Sequence, residues 1–453
     1  MSAREVARRA LAAVDGDEAD ALVQSERSGL ARFAQSVQHQ PTLTENTVVT
    51  LRIVRDGRIG VAVTNRTSDE GLQALARRAS EIAESSPVDE HFPGLAQPAP
   101  IPSVEGFDEE TASLGPDEQA RLAAAAISAT GDTPAYGFFT SGETELAVVS
   151  TTGVDVAQRV TDATVLVLAS AEEMSGYATQ TSSSVSGVDP AACAEEAAAK
   201  ASRTRGAQEL EPGVYRAVLE SYALADLIQY FAYDSLGALG LLEERSYFAG
   251  RIGEKVFDEK ISLADDALDP RCLPKAFDFE GAPKERVALV ADGVPSGVVW
   301  DRRTAKRAGG GARGTGHAPP VGLQAYGPLP FALSMRGGDA KSLDELVSTV
   351  DDGIYVTRLH YLGIVHPREG VITGMTRDGT FRIRDGKIAE PLVNLRFTVS
   401  VPHMLADVPA LTRDVRLVNA SDFYGEHYPT GTLVPSIATA YFNITGVGSS
   451  PGI

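Results

Sequence analysis

Three Asp-Gly pairs, at 56–57, 378–379 and 385–386, each stand between runs rich in β-branched and aromatic residues. Such a pair supplies the positive φ values of a two-residue hairpin turn. Each therefore predicts two antiparallel strands: "TVVTLRIVRDGRIGVAVTN" as one hairpin, and "GVITGM", "TFRIRDGKI" and "LVNLRFTVSV" as a meander. Further β runs follow from "RVALVADGV" and "VRLVNASDF". The strands alternate with helical patterns only in the first half. "EGLQALARRASEIAESS" carries Leu72, Leu75, Ala76 and Ala79 on one stripe. Ala-rich helices are predicted over 117–130 and 189–203, on either side of a hairpin turning at "STTG". "SYALADLIQYFAYDSL" is a helix with Ser221 as its N-cap and Leu224, Leu227, Ile228 and Phe231 as its buried face.

The fold class that follows is α+β, an N-terminal α/β region and then a large, mostly antiparallel β domain, either a curled sheet or a partial barrel. The expected divisions are an N-terminal α/β subdomain over 1–90, a Pro/Gly-rich linker over 91–116, a central α+β subdomain over 117–205 and a β-rich domain over 206–453. A chain of 453 residues has room for two or three such units. No internal repeat is visible in the sequence.

A formal net charge of −20 argues against holding nucleic acid, which needs clustered Lys and Arg. Two cysteines, Cys193 and Cys272, exclude a disulfide framework and a Cys-type zinc knuckle. The N-terminus lacks the apolar core of a signal peptide and reads as a surface helix. No run approaches the length of a membrane span. A cytoplasmic location is the expectation.

Few motifs carry chemistry. Gly309, Gly311 and Gly314 fit GxGxxG, but no strand precedes them and Pro319-Pro320 blocks a following helix, so a dinucleotide site is rejected. The neighbouring Arg302, Arg303, Lys306, Arg307 and Arg313 are positioned to order the glycine loop around a carboxylate or peptide. Ser296 lacks the GxSxG context. None of the seven histidines is followed by Glu, so HExxH is missing. His360 and His366, in "LHYLGIVHP", are six residues apart. In a strand that spacing keeps one face but separates them by roughly 20 Å. Only a turn, at Gly363, brings both to one ion.

Segments in order along the chain add up to a resemblance. "LARFAQSVQHQ" with "VRDGRIGVAVTNR", then "GVYRAVLESYALADLIQYFA", "FAGRIGEKVFDEKISLADD", "FDFEGAPKERVALVADGV", "GTGHA", "MTRDGTFRIRDGKIAEPLVNLRFT" and "YFNITGVGSS" resemble the TldD/PmbA family, also called TldD/TldE or "modulator of DNA gyrase" proteins. The resemblance covers essentially the whole chain. It implies proteolysis by a two-subunit complex. The TldD-type subunit carries HExxxH on the helix over 221–236 and a downstream cysteine, and the TldE/PmbA-type subunit lacks the motif and helps to enclose an extended peptide.

Laid on that motif, this chain has Gln229, Tyr230 and Asp234, and no cysteine beyond Cys272. Gln is a poor zinc ligand and Tyr a poor base near neutrality. The resemblance therefore implies a TldE/PmbA-like, non-catalytic subunit with no catalytic residue and no metal ligand of its own. The zinc is expected in a TldD-like partner, and unfolded peptide is the expected substrate of the complex. The chain is expected to be a homo- or hetero-oligomer that binds neither nucleic acid nor membrane. His317, His360, Tyr361 and His366 are the candidate peptide contacts. The alternative is a stand-alone hydrolase in peptide or natural-product maturation, with a relocated site around His360 and His366.

Overall fold

The computed structural model describes residues 1–171, 174–419 and 427–448. Its first half is one six-stranded antiparallel sheet with helices on one side, built from the same unit used twice. The first unit is helix Ala3–Ala12, strands Glu18–Ala34, Val37–Arg55 and Arg58–Thr64, and helix Asp69–Ser85. The second is helix Pro116–Ala129, strands Ala135–Ser150, Asp155–Ala171 and Met174–Ser182, and helix Pro190–Ser202. The first strands of the two units pair antiparallel at the centre, with the others outward in mirrored order. The repeat escapes a reading by eye because it is kept in topology and in a few small residues. Gly60 and Gly176, each in the outermost strand of its unit, let a helix lie directly on the sheet. A Cβ on Gly60 would stand 1.9 Å from the Ala79 carbonyl oxygen, and one on Gly176 would stand 2.1 Å from that of Ala197.

Between the units, residues 91–108 cross the molecule without helix or strand, and the short helix Glu109–Ala112 follows. Leu95 and Ala96 are buried, and Arg302 donates to the Gly94 and Leu95 carbonyls. The basic run beyond residue 301 is occupied in such work: Arg303 pairs with Asp89, Lys306 donates to the Phe92 carbonyl, Arg307 pairs with Glu243 and Arg313 with Glu285.

In the second half, strands Asp352–His366, Gly213–Leu219, Ile437–Val447, Leu395–Ser400 and Val371–Arg384 pair in that order. The last pairs back to the first, closing a five-stranded barrel-like sheet. Helix Ser221–Ser235 follows strand Gly213–Leu219. Its Leu224, Leu227, Ile228 and Phe231 share a core with Ile354, Val356, Phe397 and Phe442 of the barrel strands. A second sheet gathers short strands, among them Leu263–Asp265, Val287–Ala291, Leu333–Met335 and Arg416–Asn419.

Two expectations change. Ser221 is not the N-cap. Glu220 holds that position without a side-chain cap, its carboxylate bound to Lys200 at 2.8 Å, while the Ser221 hydroxyl meets Ser436 at 3.3 Å. Asp378-Gly379 is not a hairpin turn: it lies inside strand Val371–Arg384, where the two residues oppose Thr357 alone. This is a β-bulge, and one type of bulge takes the same positive φ as a hairpin turn; Asp378 has φ +57° and Gly379 φ +121°. The strand predicted in "VRLVNASDF" runs over Arg416–Asn419, and its last residues, 420–423, lie outside the described residues. The turns at 56–57 and 385–386 fall where expected.

Candidate functional site

A cavity of about 460 Å³ opens where helix Ser221–Ser235 meets strand Asp352–His366. The helix is apolar on its buried face, but Asp226, Gln229, Tyr230 and Tyr233 recur at i, i+3, i+4 and i+7 and form a second, partly exposed stripe. Asp226 and Tyr230 of that stripe line the cavity, together with Tyr177, Tyr222, Arg358, His360 and Tyr361.

Two bulges shape the wall. One is Asp378-Gly379. In the other, Tyr361 and Leu362 oppose Gly374 alone, and Tyr361 has φ +50°. A bulge bends its strand and re-aims the side chains beside it. The first turns the Asp378 carboxylate into the interior, where it accepts from Arg358 at 3.0 Å and from the Ser175 hydroxyl at 2.5 Å. The second pushes Tyr361 outward to 76% exposure, its ring 4.1 Å from that of His360. Arg358 is fixed from its other side by the Tyr177 ring, 4.3 Å away. Tyr177 in turn meets Tyr222 edge-on at 5.1 Å.

The electrostatics of this corner are unusual for surface residues. Burial drives the Asp226 carboxyl up to about 7, although Arg358 and a hydrogen bond from the Leu359 N–H oppose the rise. Burial, with Arg377 and Arg358 near by, pushes His360 down to about 4, so its ring is neutral at physiological pH. The folded pKa of Asp226 lies above its unfolded value near 3.8. The fold therefore favours the neutral acid, and stability falls as pH rises from about 4 through 7. Asp226→Asn is expected to raise the Tm more at pH 8 than at pH 5, which thermal melts at the two pH values measure.

The four expected contact residues do not form one group. His360 and Tyr361 line the cavity. His366 lies exposed at the end of the same strand, with no turn at Gly363 to bring it back. His317 is 1% exposed; its Nε2 lies 2.8 Å from Asp265 and its Nδ1 2.9 Å from the Thr315 hydroxyl. Asp226 and Arg358 were missed. The polar stripe through Asp226, Gln229 and Tyr230 on an otherwise apolar helix was the available signal for the first. Arg358 had none, because its place depends on the bulge across the sheet.

The donor set for zinc on the helix does not fit that ion. Asp234 is paired with Arg245, and Tyr230 packs edge-on against Tyr233 at 5.9 Å. Among the described residues no group of three or more His, Cys, Asp or Glu side chains is placed to hold a metal.

Known proteins bear on this architecture directly. Residues 19–83, 109–205 and 212–446 match, in order, the family models for PmbA/TldA metallopeptidase domain 1, its central domain and its C-terminal domain. The chain belongs to the PmbA/TldD metallopeptidase family. In sequence it is similar to a metalloprotease of Methanothermobacter thermautotrophicus, 27% identical over 47% of each chain. It is also similar to a metalloprotease TldD homolog of Haemophilus influenzae, 29% identical over 33% of this chain and 30% of that one. The chain spans about half or less of the length of these curated relatives. Its fold is that of TldE from Thermococcus kodakarensis, with a TM-score of 0.85, 20% identity and coverage of 98% of this chain and 99% of that one. A Thermotoga maritima protein described as a modulator of a DNA gyrase has a TM-score of 0.83 at 18% identity, with coverage of 97% and 99%. Among the described residues no helix is long and apolar enough to cross a membrane.

Proposed function

We propose that this chain is the TldE/PmbA-like, non-catalytic subunit of a two-chain metallopeptidase, and that it helps to enclose an extended, unfolded peptide while a TldD-like partner supplies the zinc. One observation carries the reading. The helix that bears HExxxH in TldD-type chains here bears Gln229, Tyr230 and Asp234, the last held in an ion pair with Arg245. A glutamine amide, a phenol and a paired carboxylate offer neither an imidazole pair nor a base poised near neutrality. Likeness in fold to a TldE over nearly the whole chain supports the same assignment. Activity at a relocated site around His360 and His366 gains no support, since only the first of them lines the cavity. In this reading the chain contributes walls: the barrel sheet, the tyrosines of the cavity and the exposed Tyr361.

The test is metal analysis and peptide cleavage by the purified chain, alone and mixed with a HExxxH-bearing family member from the same source. The expected result is substoichiometric zinc and no chelator-sensitive cleavage alone, with cleavage appearing on mixing. Stoichiometric zinc and metal-dependent cleavage by the lone chain would overturn the assignment.

A further inference from the structure

The chemistry of the cavity beside Tyr361 narrows what part of a peptide it takes, an inference that rests on the peptide-holding reading above. The titratable groups that line the cavity with Asp226 come from three elements. They are Tyr222 and Tyr230 from its own helix, Arg358, His360 and Tyr361 from strand Asp352–His366, and Tyr177 from strand Met174–Ser182. Arg377 and Asp378 stand behind them on strand Val371–Arg384. Arg358 and Arg377 are direct cross-strand partners, a like-charge pairing that sheets avoid unless an anion is near. The Asp378 carboxylate lies 3.0 Å from Arg358 and 3.6 Å from Arg377. That bond uses Nη1 of Arg358, and a guanidinium has further N–H donors to offer. The remaining polar groups of the wall are an imidazole, tyrosine hydroxyls, the Asn419 amide and a carboxyl that burial keeps from ionising freely, set among Leu359, Leu362 and Val418.

We propose that this cavity binds a carboxylate of the peptide, between the Arg358 guanidinium and the His360 ring. The Asp226 carboxyl on the same wall donates a hydrogen bond to the bound oxygen and keeps its own proton. Among the described residues an ammonium group would meet Arg358 at close range while Asp378 is already shared between Arg358 and Arg377, whereas a carboxylate balances the guanidinium. The same chemistry is offered by a C-terminal carboxylate and by an Asp or Glu side chain.

The experiment titrates the full-length chain with three N-acetylated, alanine-rich hexapeptides: one with a free C-terminus, its C-terminal amide, and that amide with one internal Glu. The free acid is expected to bind at least about tenfold more tightly than the plain amide at pH 6. If the Glu-bearing amide matches the free acid, the site takes a side chain; if not, it takes the terminus. Either upholds the proposal. Affinity of the preferred peptide is expected to fall about tenfold from pH 6 to pH 8, the range across which a group near 7 loses most of its proton. Asp226→Asn, which stays neutral, is expected to abolish that fall. His360→Ala is expected to weaken the acid peptide and leave the amide unchanged. It serves where Arg358→Gln fails to fold because Asp378 is left unpaired. Equal binding of all three peptides, or affinity rising with pH, overturns the carboxylate site alone. Binding of none overturns the peptide-holding reading with it.

Discussion

Gly60→Ala and Gly176→Ala are each expected to destabilise the protein by about 3 kcal/mol, the upper end of what one inserted methyl costs in a packed interior. The reason is geometric. The new Cβ would meet helix backbone: 1.9 Å from the Ala79 oxygen and 2.4 Å from the Ala83 nitrogen in the first unit, 2.1 Å from the Ala197 oxygen and 2.5 Å from the Ala201 nitrogen in the second. A side chain turns aside for a methyl group, but a helix has to shift as a body. Ala79, Ala83, Ala197 and Ala201 are all fully buried, so the shift would also open their packing along the sheet. Gly322→Ala is the control, with nothing within 4 Å of its Cβ and an effect expected within about 0.5 kcal/mol. Urea denaturation of the three variants measures the difference. Equal stabilities would mean that the helices do not lie on the sheet as closely as the two glycines imply.

That pair of contacts also shows what could be read from the sequence and what could not. The stripe Leu72, Leu75, Ala76 and Ala79 announces a helix and its buried face, because period and burial are local properties. The partner of that face is not local. "RIG" and "MSG" share one glycine and nothing else that marks them as equivalent strands. The Asp-Gly pairs make the same point. At 56–57 and 385–386 the pair turns a hairpin; at 378–379 it forms a bulge inside a continuous strand. Asp and Gly supply positive φ in either case, and only the length of the opposing strand, Asp352–His366, decides between them. The candidate site was half legible for the same reason. His360 and Tyr361 stood out as unusual residues in a β run. Arg358 owes its position to Asp378 across a bulge, and Asp226 was noticed only as part of a helix, not as an acid whose burial favours its protonated form.

Gln229, Tyr230 and Asp234 were legible in the sequence because identities at fixed helical spacing are a local property. The structure adds that these positions are occupied in other ways. Arg245 holds Asp234, and the Tyr230–Tyr233–Tyr326 ring contacts build an aromatic surface along the helix. Restoring histidines there would break an ion pair and disturb that surface before it created a ligand set.

Asp265→Ala is expected to cost about 3–5 kcal/mol, the range for removing one partner of a buried ionic network. The Asp265 side chain is wholly inside. One oxygen lies 2.8 Å from His317 Nε2, the other accepts the Ala332 N–H at 2.8 Å, and the buried Lys284 supplies a nearby positive charge. Burial opposes ionisation, yet His317, Lys284 and the Ala332 N–H together outweigh it and hold the carboxyl below its ordinary range. Burial and Lys284 keep the His317 ring from charging. Its Nε2–H therefore donates to the carboxylate while Nδ1 accepts from Thr315, whose oxygen in turn receives the Trp300 N–H at 2.8 Å. Alanine would strand two N–H donors and leave Lys284 with Asp278 as its remaining counter-charge. Because the folded pKa of Asp265 is depressed, its contribution is present above about pH 4 and lost as pH falls through the folded value. Urea midpoints of the wild type and Asp265→Ala should accordingly differ most at pH 5 to 8 and converge under more acid conditions. A gap that stayed constant down to pH 2 would show that shape, not charge, is what Asp265 contributes beneath the second sheet.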